Sequence, residues 1–194
     1  MHKGRLEAFS DGVIAILITI MVLEMKVPHE HTGLAALAPV VPVFLSYILS
    51  YIYLGIYWSN HHHLFQAAQK VDGAALWANL HLLFWLSLFP FATGWVAEGS
   101  AEPITVAVYG VVLLMAGVAY YILSQVLIHR HGAGSVLAKA VGNDFKGKIS
   151  VVIYAAGIGL AFISSWIALA LYIAVAIMWL IPDRRIERTI GSTH

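Results

Sequence analysis

The sequence predicts an all-α membrane protein with six transmembrane helices and both termini in the cytoplasm. Three observations predict it. Of 194 residues, 60% are hydrophobic and only 11% are charged, with a mean hydropathy of +0.82, whereas a soluble domain is about 25% charged and about half apolar. Six apolar stretches approach the length of about 20 residues that a helix needs to cross a hydrocarbon core of about 30 Å. The basic residues fall almost entirely in alternate loops. The net charge is +1 and there is no basic tail, which gives nucleic acid nothing to bind. With no cysteine in the chain, disulfides and thiolate metal sites are excluded.

The six segments cover roughly residues 5–26, 40–65, 74–97, 104–128, 149–164 and 165–181. All are expected to be helices, because lipid offers unpaired backbone groups no partner. The first, "RLEAFSDGVIAILITIMVLEMK", is apolar from Gly12 to Leu23 apart from Thr19. It lacks a small-residue cleavage site and is expected to remain as a spanning helix. The second closes on "WSNHHHLF" and the third contains "NLHLLFWLSLFPFATGW". The fifth and sixth form one apolar run, divided near Ser164-Ser165-Trp166 because a single helix of that length would overshoot the bilayer. The longest loop, residues 129–148, is too short for a further domain, so residues 1–194 read as one six-helix unit with no internal repeat.

Loop charge sets the orientation. Lys3 and Arg5 precede the first span, Lys70 follows the second, and Arg130, Lys139, Lys146 and Lys148 follow the fourth. Arg184, Arg185 and Arg188 follow the sixth. The other side has only Lys26, beside Glu30, Glu98 and Glu102. Positive charge stays inside, so both termini are expected to be cytoplasmic.

Ionisable groups within spans are costly and become functional candidates. Arg5, Glu7, Ser10 and Asp11 open the first helix. Trp58, Asn60, His61, His62 and His63 on the second and Asn79 and His81 on the third fall at the same cytoplasmic depth. Arg5, Glu7 and His63 suit the headgroup zone equally well, with their charged ends in water. Ser10, Asp11, Asn79 and His81 lie about a turn deeper, at 1.5 Å per residue, and favour a buried network. The three consecutive histidines point about 100° apart on a helix, so they cannot face one metal ion together. His61, His81 and Asp11 could share one, although a buried imidazole more often hydrogen-bonds. No nucleophile-elbow glycine pattern surrounds Ser10, which weakens a hydrolase reading.

Val13, Ile16, Ile20, Leu23 and Val27 recur at spacings of three and four, along one helical face with Thr19 beside it. Helix packing is the usual meaning of such a stripe. An apolar ring around a symmetry axis, gating a pore by dewetting, is the other.

Three motifs together resemble a known family. "RLEAFSD" fits the R-x-x-x-F-S-D signature that opens the six-helix repeat of bacterial and lysosomal potassium channels of the transmembrane-protein-175 type. "WSNHHHLF" is similar to that family's W-x-x-H-H-x-x-F, and the third helix to its N-L followed by a P-F-x-T ending. The likeness is densest from Arg5 to Trp95; later helices match mainly in number, polarity and the closing "WLIP". His63 and His81 have no counterpart carried over. The resemblance implies a non-canonical cation channel, potassium-selective or leaky for sodium, with no T-V-G-Y-G filter. It implies four copies of the chain around one pore lined by the first helix, with the constriction at Ile16. Thr19 takes the nearby hydroxyl position, and Ile20 and Leu23 lie on adjoining turns. Arg5, Phe9, Ser10, Asp11, Trp58, His61, His62 and Asn79 would form the motif and its supporting network, which His81 joins by depth alone. The implied partners are potassium and other monovalent cations, the lipid of a cell membrane crossed several times, and further copies of the chain. No cofactor is implied beyond the permeant ion. A proton- or metal-coupled transporter using Asp11 and the histidines is the alternative, but it predicts a charged midplane site and often repeats, and neither is present in the sequence.

Overall fold

The computed structural model describes residues 2–27, 33–132, 134–142 and 144–180, and among these the regular structure is entirely helical. Arg184, Arg185, Arg188, Glu30 and the end of the sixth predicted span lie outside the described residues. Helix α1 covers Lys3–Ile20 and tightens into a 3₁₀ turn at Met21–Glu24. A second 3₁₀ segment, Leu34–Val40, leads into α2, Val41–Ala67. α3 (Gly73–Ser87) and α4 (Phe89–Glu98) follow, then α5 (Pro103–His131) and the short α6 (Val136–Val141). α7 (Phe145–Ala161) and α8 (Ser165–Leu180) complete the chain.

Among the described residues, four helical stretches are long and apolar enough to cross a membrane: Lys3–Leu23, Ala36–Ala67, Gly73–Glu98 and Pro103–His131. α7 and α8 are shorter, at 17 and 16 residues. The third predicted segment is not one straight helix. It breaks at Leu88, where Pro90 has no N–H to continue the ladder and its ring crowds the preceding turn. The last apolar run breaks at Phe162–Ser164, and α8 restarts at Ser165.

Sequence chemistry explains the ends. Asp72 caps α3, its carboxylate accepting from the Ala75 amide at 3.0 Å. That amide, and after it the Arg130 guanidinium 2.5 Å away, hold the Asp72 carboxyl below the usual carboxylate range. Asp144, at φ 40°, caps α7 through the Gly147 amide at 3.1 Å. A Cβ at position 147 would collide with that same carboxylate, so a side chain there would push the cap out of place.

α5 is the central strut, packed against α3, α4, α7 and α8. Small buried residues, Ala107, Gly110, Ala116 and Ala119, let its neighbours approach closely. Tyr172 of α8 fills the notch between Gly110 and Gly157. Several buried hydroxyls are paired across helices, where an apolar medium offers no water in their place. Tyr53 donates to the Tyr172 carbonyl (2.5 Å) and accepts from Tyr154 (3.3 Å). Ser50 bonds both Thr93 (2.5 Å) and Tyr109 (2.9 Å). α1, by contrast, packs mainly against α2 and α3, with lesser contact to α4 and to the 3₁₀ turn that follows it.

A Cβ at Gly110 would overlap the Tyr172 hydroxyl and lie 2.9 Å from Ile158 Cγ1. Gly110→Ala is therefore expected to cost about 1–3 kcal/mol through overpacking. Adding Tyr172→Phe, which removes the closest atom, should recover part of the loss in a thermal melt in detergent.

Candidate functional site on the first helix

α1 has two unlike sides. Leu6, Ser10, Ile14, Leu17 and Met21, spaced by three and four, are buried in the chain. Phe9, Ile16 and Ile20 are exposed on the other side, Ile16 at 61%, and Leu23, exposed at 73%, follows in the 3₁₀ turn, whereas Val27, expected on the same stripe, lies beyond the last helical residue. Thr19 lies on the exposed side. Val13, expected on the same stripe, is half-buried and packs against the core.

The polar start of the helix fixes which side faces inward. The Ser10 hydroxyl has one proton, and it goes to the Leu6 carbonyl at 2.8 Å. Ser10 Oγ therefore accepts from Asn79 Nδ2 at 2.9 Å. That leaves Asn79 Oδ1 toward His61, whose Nε2 must donate across 2.8 Å. The three side chains form a directed chain, His61 to Asn79 to Ser10, running from α2 through α3 to the backbone of α1. All three are buried. The His61 ring lies against Phe65, centroids 4.5 Å apart, and its Nδ1 is buried with no partner among the described residues.

A second tie is more exposed. Trp58 Nε1 donates to Asp11 Oδ1 at 3.1 Å, and His62 stacks on the Trp58 ring. A third was not foreseen: Lys3 Nζ reaches the Phe65 carbonyl at 3.0 Å, fastening the start of α1 to the end of α2. The charge pattern marks Lys3 as a loop cation, and nothing in the local sequence distinguishes a lysine that reaches a carbonyl from one in solvent.

Other candidates stand apart from this network. Arg5, Phe9 and His62 are exposed. His81 Nε2 accepts from Trp85 Nε1 at 3.0 Å, a bond within α3 that the His-x-x-x-Trp spacing signals in hindsight. Asn60 donates to the Ile56 carbonyl of its own helix. No group of three or more His, Asp or Glu side chains converges among the described residues. The Ser10 proton is engaged on a carbonyl and its polar neighbour is an amide, so the arrangement a serine nucleophile needs, a base on its hydroxyl, is not formed. Thr19 donates to the Ala15 and Ile16 carbonyls at 3.0 and 3.1 Å, leaving its oxygen lone pairs on the exposed side.

The family profile described as "Endosomal/lysosomal potassium channel TMEM175" matches residues 5–90. A protein of Chryseobacterium named as a potassium channel is 55% identical over 190 residues, covering 98% of both chains. A potassium channel of Streptomyces collinus is 32% identical, covering 92% of this chain and 91% of its own. The crystal structure of a lysosomal potassium-selective channel TMEM175 homolog from Chamaesiphon minutus superposes with a TM-score of 0.78 at 29% identity, over 92% of this chain and 96% of that one.

Asn79→Ala would strand both the His61 Nε2–H and the Ser10 lone pair. Each buried unpaired group costs about 1–3 kcal/mol, so this change should lower the melting temperature more than any other in the layer. Asp11→Asn keeps an oxygen for Trp58 at a half-exposed site, and its melting temperature is expected to stay close to that of the unaltered protein.

Proposed function

The chain belongs to the TMEM175 potassium channel family, and from that premise we propose that it conducts potassium through the cell membrane as a homotetramer. The reading rests most on one observation: α1 is locked to its own chain along one side and presents an apolar stripe along the other. One helix cannot enclose an axis. Four copies can, each contributing one stripe. Near-full-length relatives named as potassium channels support the choice of ion.

Six crossings with both termini cytoplasmic complete the proposal, α7 and α8 forming the last hairpin. Contacts between helix ends favour it. Lys3 at the start of α1 meets Phe65 near the end of α2, and Asp72 before α3 meets Arg130 near the end of α5. These basic loops therefore gather at one end of the bundle, as the positive-inside rule requires of a cytoplasmic face.

In the proposed pore Ile16 is the narrowest point. The stripe carries no charge and no run of carbonyls, so it cannot replace an ion's hydration shell with ligands. Passage then depends on partial dehydration at an apolar ring. Potassium holds its water less tightly than sodium and meets the lower barrier, which gives modest selectivity compared with a carbonyl-lined filter. The Thr19 oxygens, with their protons on the backbone, face the partly stripped ion.

Two measurements test this. Purified protein in a planar bilayer under a potassium/sodium gradient should give single-channel steps reversing toward the potassium potential. Ile16→Asn should raise the current and move the reversal potential toward sodium, beside a smaller change for Ile20→Asn. The constriction is misplaced by a turn if Ile20→Asn opens the pore while Ile16→Asn does nothing. Native mass spectrometry in mild detergent should show four copies, and a purely monomeric protein would overturn the pore.

A further inference from the structure

A cavity of about 330 Å³ lies among α2, α5, α7 and α8, away from α1 and the stripe it presents. Its wall is rich in aromatic side chains, with Tyr53, Tyr57, Tyr120, Tyr121, Tyr154 and Trp179, and Gly117 of α5 opens a gap in it. Asp144 and Lys148 stand at the start of α7, where the wall becomes charged. From Asp144 to Tyr154 the wall extends ten residues along the chain, about 15 Å where helical. Its volume falls at the lower end of sites that enclose a small organic ligand.

The tyrosine hydroxyls in this wall are not equivalent. Tyr154 donates to Tyr53, Tyr53 donates to the Tyr172 carbonyl, and Tyr120 donates to the Asn60 carbonyl at 3.1 Å. Tyr57 is only 9% exposed as a residue, and its hydroxyl makes no hydrogen bond among the described residues; the oxygen opens onto the cavity instead of being sealed in the wall. It points at the gap: a Cβ placed on Gly117 would lie 3.8 Å from that oxygen and 4.0 Å from Tyr154 Cε2, with nothing closer. A hydroxyl that opens onto a largely apolar cavity has a donor and lone pairs free to meet a ligand oxygen.

We propose that this cavity is a binding site for a small uncharged molecule with a mainly apolar body and one hydrogen-bonding oxygen that pairs with the Tyr57 hydroxyl. The chemistry of the wall selects that class. Aromatic and aliphatic surface takes the body, and the Tyr57 hydroxyl beside the Gly117 gap takes the oxygen. The charged residues stand only at the start of α7, one acidic and one basic, so the site favours neither a cation nor an anion. α2 forms part of this wall and also carries His61 and Trp58, which hold α1, so an occupant bears on the helix that positions the stripe.

The test uses the full chain in lipid nanodiscs and a diazirine-bearing octanol as photoprobe, with labelled residues mapped by mass spectrometry. Label should concentrate on the cavity tyrosines and fall when 1-octanol is in excess. Gly117→Leu places a side chain in the gap and should abolish labelling of Tyr154 while the melting temperature holds. Should that variant fail to fold, Val151→Phe fills the same space from α7. Tyr57→Phe should raise the probe concentration for half-maximal labelling of Tyr154 about three- to tenfold, the loss of one hydrogen bond. The proposal is overturned by label that octanol does not displace, by label that persists in the filled variants, or by label confined to lipid-facing residues because a neighbouring copy closes the cavity.

Discussion

The hydrogen bonds that run from His61 through Asn79 to Ser10 hold the first helix at one rotation, and the two faces of α1 follow from that. A side chain on a helix moves 100° for every residue of slip. Were α1 turned by one position, Ser10 would leave Asn79 and the buried row Leu6–Ile14–Leu17 would swing toward the edge. Apolar contacts alone do not prevent this, because lipid tails solvate isoleucine and leucine about as well as a neighbouring helix does. Directed polar bonds do prevent it, since a group that loses its partner in this layer has no water to replace it. The Ser10 hydroxyl bonded back to Leu6 adds direction, since it leaves only an acceptor for Asn79 to meet.

The rest of the bundle meets the same requirement by different means. α5, α7 and α8 approach closely through glycine and alanine and then fill the space with tyrosine, whose ring packs and whose hydroxyl crosses to another helix. Tyr154 of α7 and Tyr172 of α8 form such a set with Tyr53 of α2, with rings 6.1–6.4 Å apart in the pairs that touch and hydroxyls paired or turned to a carbonyl. These helices form a fixed scaffold, against which α2 stands with α1 on one side and the cavity on another. Tyr57 departs from the pattern, having its ring packed against Phe89 and Tyr120 but its hydroxyl unpaired.

Much of this was legible in the residues. Apolar runs located the four membrane-length helical stretches found among the described residues, because bilayer thickness ties length to composition more tightly than a soluble core does. The depth of Ser10 and Asn79 pointed to a shared layer, and they meet. The break at Leu88 was less visible, although Pro90 carried the signal, since hydropathy does not register a missing N–H. Arg5 and His81 match that layer in depth but not in direction: position along the axis is readable from sequence, whereas rotation depends on which neighbours a helix chooses. The same limit explains Val13, which fits the periodicity of the stripe but rests against the core. The Tyr57 cavity had no sequence signature, because it is made by four helices that are distant along the chain.

Rotation is also what links the polar layer to the proposed conduction path. Ser10 and Ile16 are six residues apart, about 600° of helical turn, so they face directions about 120° from the sum of whole turns. Fixing Ser10 against α3 therefore fixes Ile16 away from the chain, where its exposure of 61% places it. Ile20 and Leu23, four and seven residues further on, stay within a narrow arc of Ile16. A force that loosens the His61–Asn79–Ser10 bonds would thus not merely destabilise the chain. It would let α1 roll, and in the proposed tetramer four such rolls would exchange isoleucine for a smaller or differently shaped neighbour at the axis. The polar start of α1 and the apolar middle are one device: the first supplies the torque that the second cannot generate in lipid.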